Sequence, residues 1–164
     1  MAILEDRTIT DSIEIKTTPE KIFAFITSLV DDESYRAWHK EDHVSLRWLK
    51  GSPWQEGSLA YAQEYMHGKL HKLKFIVTKV IPNERIEYVP NSRLLRIYVP
   101  KNEFIIERKG DSCIFTAKGT YRVGWIFKTF FKKVLEYGLT CVKKHMKEEG
   151  ENLKAILESR NNWA

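Results

Sequence analysis

The chain has 164 residues, 43% of them hydrophobic and 30% charged, with a formal net charge of +5 at pH 7. This is an ordinary soluble globular composition, long enough for one domain (residues 1–164) with a substantial core or an internal cavity. Two cysteines without CxxC spacing, Cys113 and Cys141, argue against a disulfide scaffold, and the absence of a signal-peptide pattern or a bilayer-length apolar run makes a cytoplasmic protein the default expectation.

The first predicted strand runs from Thr8 to Lys16, alternating Ile9, Asp11, Ile13 and Ile15 with polar neighbours. Thr17-Thr18-Pro19-Glu20 then reads as a helix start, with Thr18 as N-cap and Pro19 at the first helical position. Ile22, Phe23, Phe25 and Ile26 give that short helix its apolar face, and a second short helix spans Asp31 to about Arg36. From Val44 to Tyr121 the pattern is mostly strands: Val44–Leu49, Ser58–Met66, Lys72–Ile81, Arg85–Val89, Leu94–Val99, Glu103–Arg108 and Cys113–Arg122. Turn signals at Gly51-Ser52-Pro53, His67-Gly68, Pro82-Asn83, Pro90-Asn91 and Lys109-Gly110-Asp111 separate several of them and predict antiparallel hairpins.

A long helix closes the chain, from about Trp125 to about Ser159. Its predicted apolar stripe is Phe127, Phe131, Leu135, Val142, Met146, Leu153 and Ile156. Glu149 falls near the middle of that stripe and His145 on its flank, one turn away. A buried carboxylate is paired, protonated or placed on a metal, so this pair is the first candidate site. Lys128, Lys132, Lys133, Lys143, Lys144 and Lys147 fall opposite or beside the stripe as a solvated face. No nucleic-acid motif accompanies the charge, so no nucleic-acid partner is expected, although an anionic ligand or surface would feel the same field.

The expected architecture is α+β: a curved antiparallel sheet of about seven strands wrapped around a long C-terminal helix, with two short helices. This order, with the phrase Ile-Lys-Thr-Thr-Pro-Glu-Lys-Ile-Phe-Ala-Phe-Ile, resembles the START/Bet v 1-like (SRPBCC) superfamily of helix-grip folds. The resemblance implies a deep apolar cavity and a small hydrophobic ligand, but no single activity.

His-x3-Glu on a helix puts both side chains on one face, as a metal site requires. The favoured ligand set is His39, Glu64, His145 and Glu149, suited to a divalent metal, zinc first, with iron or manganese admissible. Glu64 shares strand parity with Ala60, Ala62 and Met66, and parity alone leaves open which face points inward. The spacing His…Glu…His-x3-Glu is similar to the zinc site of the diacetylphloroglucinol hydrolase family, and the resemblance implies these same four positions. It further implies hydrolytic cleavage of a carbon–carbon bond in a small hydrophobic, aromatic or diketone-like compound. His43, His67 or His71 would serve as acid or base and Tyr61, Tyr65 or Tyr121 as donor, with His43 and Tyr121 taken as the catalytic pair.

Each residue also has a plainer reading. His145 with Glu149 makes a hydrogen-bonded pair at a helix edge, His39 and His43 sit in an exposed loop, Glu64 faces a cation across the sheet, and His67 and His71 face solvent. On those readings the chain is a non-catalytic carrier or sensor of apolar ligands, or a module that docks anionic partners. The oligomeric state is open.

Overall fold

A computed structural model describes residues 4–161, with side chains through residue 159; residues 1–3, used in the signal-peptide reading, and 162–164 of the expected domain lie outside them. The elements are β1 (Leu4–Ile15), α1 (Pro19–Thr27), α2 (Asp32–Trp38), β2 (His43–Lys50), β3 (Leu59–Met66), β4 (Lys69–Ile81) and β5 (Arg85–Pro90). They continue with α3 (Arg93–Tyr98), β6 (Lys101–Lys109), β7 (Ser112–Gly124), α4 (Trp125–Phe130) and α5 (Lys132–Asn161). The strands form one antiparallel sheet in the order β1-β7-β6-β5-β4-β3-β2.

Thr18 caps α1 by accepting from the Lys21 amide, and Asp31 with Ser34 forms a capping box on α2. The Asp32 carboxylate accepts from the Leu46 amide at 2.9 Å and ties α2 to β2. The β3–β4 hairpin turns through His67 and Gly68, both at positive φ (57° and 68°), as a tight two-residue turn between twisted strands requires. α5 packs against β1 and β7 on one side and reaches β3 near the other edge, so the sheet wraps around it. Gly150 lets α5 approach β1: a Cβ there would stand 3.2 Å from Ile13 Cγ2. The core between these layers is built from Ile15, Ile22, Ile26, Trp38, Phe104, Phe115, Leu153 and Leu157.

Two expectations are corrected. Leu94–Val99 is not a strand; Arg93–Tyr98 is a helical turn and a half, capped by Ser92, whose hydroxyl accepts from the Leu95 amide. The long helix does not run unbroken from Trp125, because Phe131 leaves helical geometry (φ −121°, ψ 28°) and separates α4 from α5. The predicted stripe is consequently not buried over its first turns: Phe127 and Phe131 are 45% and 51% exposed, and burial begins at Leu139.

Candidate functional site

The inward face of β3 is the one carrying Ala60, Ala62 and Glu64, all buried. Register places His43 of β2 and His71 of β4 directly opposite Glu64, so the three side chains stand abreast on one face. α5 supplies His145 and Glu149 from above. The backbone carbonyl of Glu149 accepts from the Trp38 indole N–H at 3.0 Å, which locks the helix to α2 at this level.

Six side chains converge here: Tyr35, Asp42, His43, Glu64, His145 and Glu149. His43 has no exposed side-chain surface; it stacks on Tyr35 (centroids 3.8 Å apart, planes at 4°) and meets the edge of Trp38. Its Nδ1–H donates to the Tyr35 carbonyl at 3.0 Å, and its Nε2 lies 3.0 Å from Glu149 Oε1. His145 Nδ1 lies 3.2 Å from Asp42 Oδ2, while its Nε2 is 3.5 Å from Glu149 Oε1 and 3.7 Å from Glu64 Oε2. That Nε2 is buried and makes no hydrogen bond. The Tyr35 hydroxyl donates to Glu64 Oε2 at 2.6 Å. Ligand-type atoms of His43, Glu64 and His145 all lie within 4.8 Å of one another, a grouping able to hold a metal ion.

The charges are strongly coupled. Burial alone would depress the His145 imidazolium, but the Glu149 and Glu64 carboxylates and the Asp42 hydrogen bond carry its pKa up to about 10. Burial alone would raise Glu149, yet the charge of the neighbouring His145 and the close approach of His43 Nε2 bring it down to about 2. Tyr121 on β7 is raised to about 12 by burial and by Glu64 across the interior. Burial likewise raises Tyr35, with Glu64 and Glu149 adding to it, and raises Tyr88, with Glu149 adding to it. These phenols are donors, not bases, at neutral pH.

His145, Glu149 and Glu64 are thus brought together, and His43 joins them. His39 is buried but stands one ring further out, stacked on His145 with centroids 5.4 Å apart. Its Nδ1 accepts from the Asp42 amide at 3.2 Å, so in the neutral ring the proton is on Nε2. That Nε2 is buried without a hydrogen bond and faces Asp42 Oδ2 at 3.7 Å and Glu148 Oε2 at 3.5 Å. His39, Asp42 and His145 form a second close grouping, but the His39 lone pair is already used there. Beside His39, a surface groove of about 380 Å³ runs between α2 and α5, lined by Trp38, Glu148, Asn152 and Ile156 among others.

Tyr35 and Asp42, which fix Glu64 and His145, were missed as site residues. The available signal was their place in the Tyr35-x2-Trp38-His39-x2-Asp42-His43 stretch. Of the remaining histidines, His67 and His71 are half-buried, His67 against the Tyr137 ring at 5.2 Å, and the His71 Nε2 is buried without a partner.

Among solved structures the fold is similar to that of TTHA0849 from Thermus thermophilus (13% identity, TM-score 0.69, covering 94% of this chain and 99% of that one). It is also similar to norcoclaurine synthase from Thalictrum flavum in complex with dopamine and hydroxybenzaldehyde (12% identity, TM-score 0.68, 96% and 89%). A third is Ara h 8.0201 (11% identity, TM-score 0.64, 94% and 99%). At such identities the likeness establishes the helix-grip, Bet v 1-like fold. No curated protein sequence matches. The family model described as "Polyketide cyclase / dehydrase and lipid transport" matches residues 6–158, nearly the whole chain, and the protein belongs to that family.

Proposed function

We propose that His43, Glu64, His145 and Glu149 bind a divalent metal ion, zinc first, and that the protein is a metal-dependent hydrolase of a small hydrophobic, aromatic ketone. One observation carries this reading. His43 Nδ1 is committed to the Tyr35 carbonyl, so a neutral His43 aims a lone pair at Glu149 Oε1 from 3.0 Å. Two acceptors facing each other require a cation between them, either a proton or a metal. The unpartnered His145 Nε2, aimed at the same two carboxylates, repeats the requirement. Two imidazole nitrogens and two carboxylates suit zinc, iron or manganese, and a divalent ion balances both buried negative charges.

The donor set also supports the likeness to the diacetylphloroglucinol hydrolase family, with His43 in the role first given to His39. Bound here, a divalent ion supplies Lewis acidity that polarises a carbonyl oxygen and acidifies water. The chain's own residues do the rest. Asp42 and the Tyr35 carbonyl orient the two imidazoles, and the Tyr35 hydroxyl orients Glu64. Tyr121, protonated up to about pH 12, donates to a developing oxyanion or enolate oxygen. His71, abreast of Glu64 with a free ring nitrogen, is placed to return a proton to the departing carbon. Water's hydroxyl adds to the carbonyl carbon, the carbon–carbon bond breaks, and the carbanionic fragment takes up the proton.

The test is elemental analysis of purified protein with thermal melts before and after chelation. About one equivalent of divalent metal and a metal-dependent rise in Tm are expected, both lost in His145→Ala/Glu149→Ala. No metal and no rise would refute it. The second reading is a carrier of hydrophobic small molecules. It is favoured by His145, which in its charged form closes the network without a metal; a carrier keeps its ligand affinity in the same double variant.

A further inference from the structure

Most of the exposed large hydrophobic side chains fall in two short segments. α3 exposes Leu94 (64%), Leu95, Ile97 and Tyr98; α4 and the start of α5 expose Trp125, Ile126 (64%), Phe127, Phe130 (70%), Phe131, Val134 and Tyr137. The two segments are neighbours. α3 leads through Val99 and Pro100 to Lys101, which pairs with Thr120 of β7, and α4 leaves β7 four residues further on, at Gly124. Both helices contact β7.

α4 reads Trp-Ile-Phe-Lys-Thr-Phe and buries none of its residues, whereas a helix so apolar ordinarily packs against something. Cations are interleaved without acids: Arg93, Arg96 and Lys101 within 93–101, and Lys128, Lys132 and Lys133 within 125–135. Lys101 and Lys128 are paired, with Glu103 and Glu5. Among the described residues no ion pair engages Arg93, Arg96, Lys132 or Lys133.

We propose that this end of the molecule, formed by α3, α4 and the first turn of α5, docks onto an anionic lipid bilayer surface. Aromatic and aliphatic side chains with lysines among them are the chemistry of a peripheral interfacial helix: rings enter the headgroup boundary while lysines reach the phosphates. A recess of about 540 Å³ beside α4, lined by Arg7, Trp125, Lys128, Thr129, Lys132 and Glu136, lies next to the apolar ridge; Arg7 is paired with Glu136 there, and among the described residues Lys132 is the cation left without an ion pair. A second copy of the chain is disfavoured as occupant, because a two-fold interface would set the cations of this face against themselves. No helix among the described residues is long and apolar enough to cross a membrane, so the contact is peripheral.

The test is flotation of the full chain with vesicles of phosphatidylcholine alone or mixed with phosphatidylglycerol. Binding to the mixed vesicles that weakens with salt is expected. Lys132→Glu/Lys133→Glu weakens it at least about 30-fold, from the loss of two surface-attracted cations. Ile126→Asp/Phe130→Asp abolishes it while Tm and circular dichroism stay as in the parent, since both side chains face solvent. Absence of binding to the mixed vesicles overturns the proposal, as does binding that survives Ile126→Asp/Phe130→Asp. So does a dimer in analytical ultracentrifugation that this variant dissolves, which would make the face an interface between copies. None of these outcomes depends on the metal reading.

Discussion

Replacing Glu149 by Gln in chelated protein keeps the shape of the side chain and removes its charge. In the parent the carboxylate lies 3.0 Å from His43 Nε2 and 3.5 Å from His145 Nε2, with the Glu149 and His145 side chains about 10% exposed. The substitution leaves a charged His145 buried with a weakened set of partners, a change that costs about 3 kcal/mol or somewhat more. For a domain of this size that is a fall in Tm of about 6–12 °C. The pH window follows from the shifts. His145 is raised from 6.5 to about 10, so its contribution is complete below about pH 6.5 and is lost as pH rises through 10. Glu149 is lowered from 4.5 to about 2, so its contribution is present above about pH 4.5 and is lost as pH falls through 2. The difference in Tm between parent and Glu149→Gln is therefore largest between about pH 4.5 and 6.5 and shrinks toward pH 10. Differential scanning calorimetry across that range measures it. Equal melting temperatures at pH 6, or a gap that widens toward pH 10, would refute the pairing. Zinc added to the parent raises Tm and releases protons, because His145 must lose its proton to become a ligand; Glu149→Gln shows neither effect.

Three further outcomes are expected. Tyr35→Phe removes the hydroxyl that donates to Glu64 at 2.6 Å, lowering stability by about 1–3 kcal/mol in urea unfolding and metal affinity about 10–100-fold by competition with a chromogenic chelator. In the same chelator assay His43→Ala abolishes binding while His39→Ala leaves it within a few-fold; the reverse order would return the ligand role to His39. Trp38→Phe deprives the buried Glu149 carbonyl of its indole donor and costs about 1–3 kcal/mol by thermal melt, with no change in metal stoichiometry.

Much of the site was legible because period and spacing are local properties. The 3.6-residue period of α5 put His145 and Glu149 together, and the two-residue period of β3 put Glu64 with Ala60 and Ala62. Which of His39 and His43 stands nearer Glu64 was not legible, since it depends on how the chain leaves α2. The His43 amide donates to the His39 carbonyl at 2.9 Å, closing a turn that carries His39 outward and starts β2 at His43, in register with Glu64. Register across strands distant in sequence is a tertiary property, and the same turn places Asp42 on His145. The failed strand at Leu94–Val99 has a local cause: its apolar residues fit either period, and Ser92 as N-cap decided for the helix. The failed stripe at Phe127 and Phe131 has a non-local one, since helical periodicity predicts burial only where a second layer exists to cover the face.

That uncovered layer separates two kinds of apolar surface in the chain. From Leu139 onward α5 lies under the sheet, its apolar positions go to the core, and the polar exceptions His145 and Glu149 are each met by a partner from α2, β2 or β3. Before Leu139 the polarity is inverted: the aromatic residues are largely outside, met only at their edge by β7 and the β3–β4 turn. A sequence under pressure only to fold would place Lys or Glu at Ile126 and Phe130, which contribute little to the core at 64% and 70% exposure. Hydrophobic side chains kept there beside unpaired lysines are better explained by something that binds them. The buried polar cluster, at the other stretch of the same helix, calls for the same kind of explanation: on the proposed reading its cost is offset by the ion it binds.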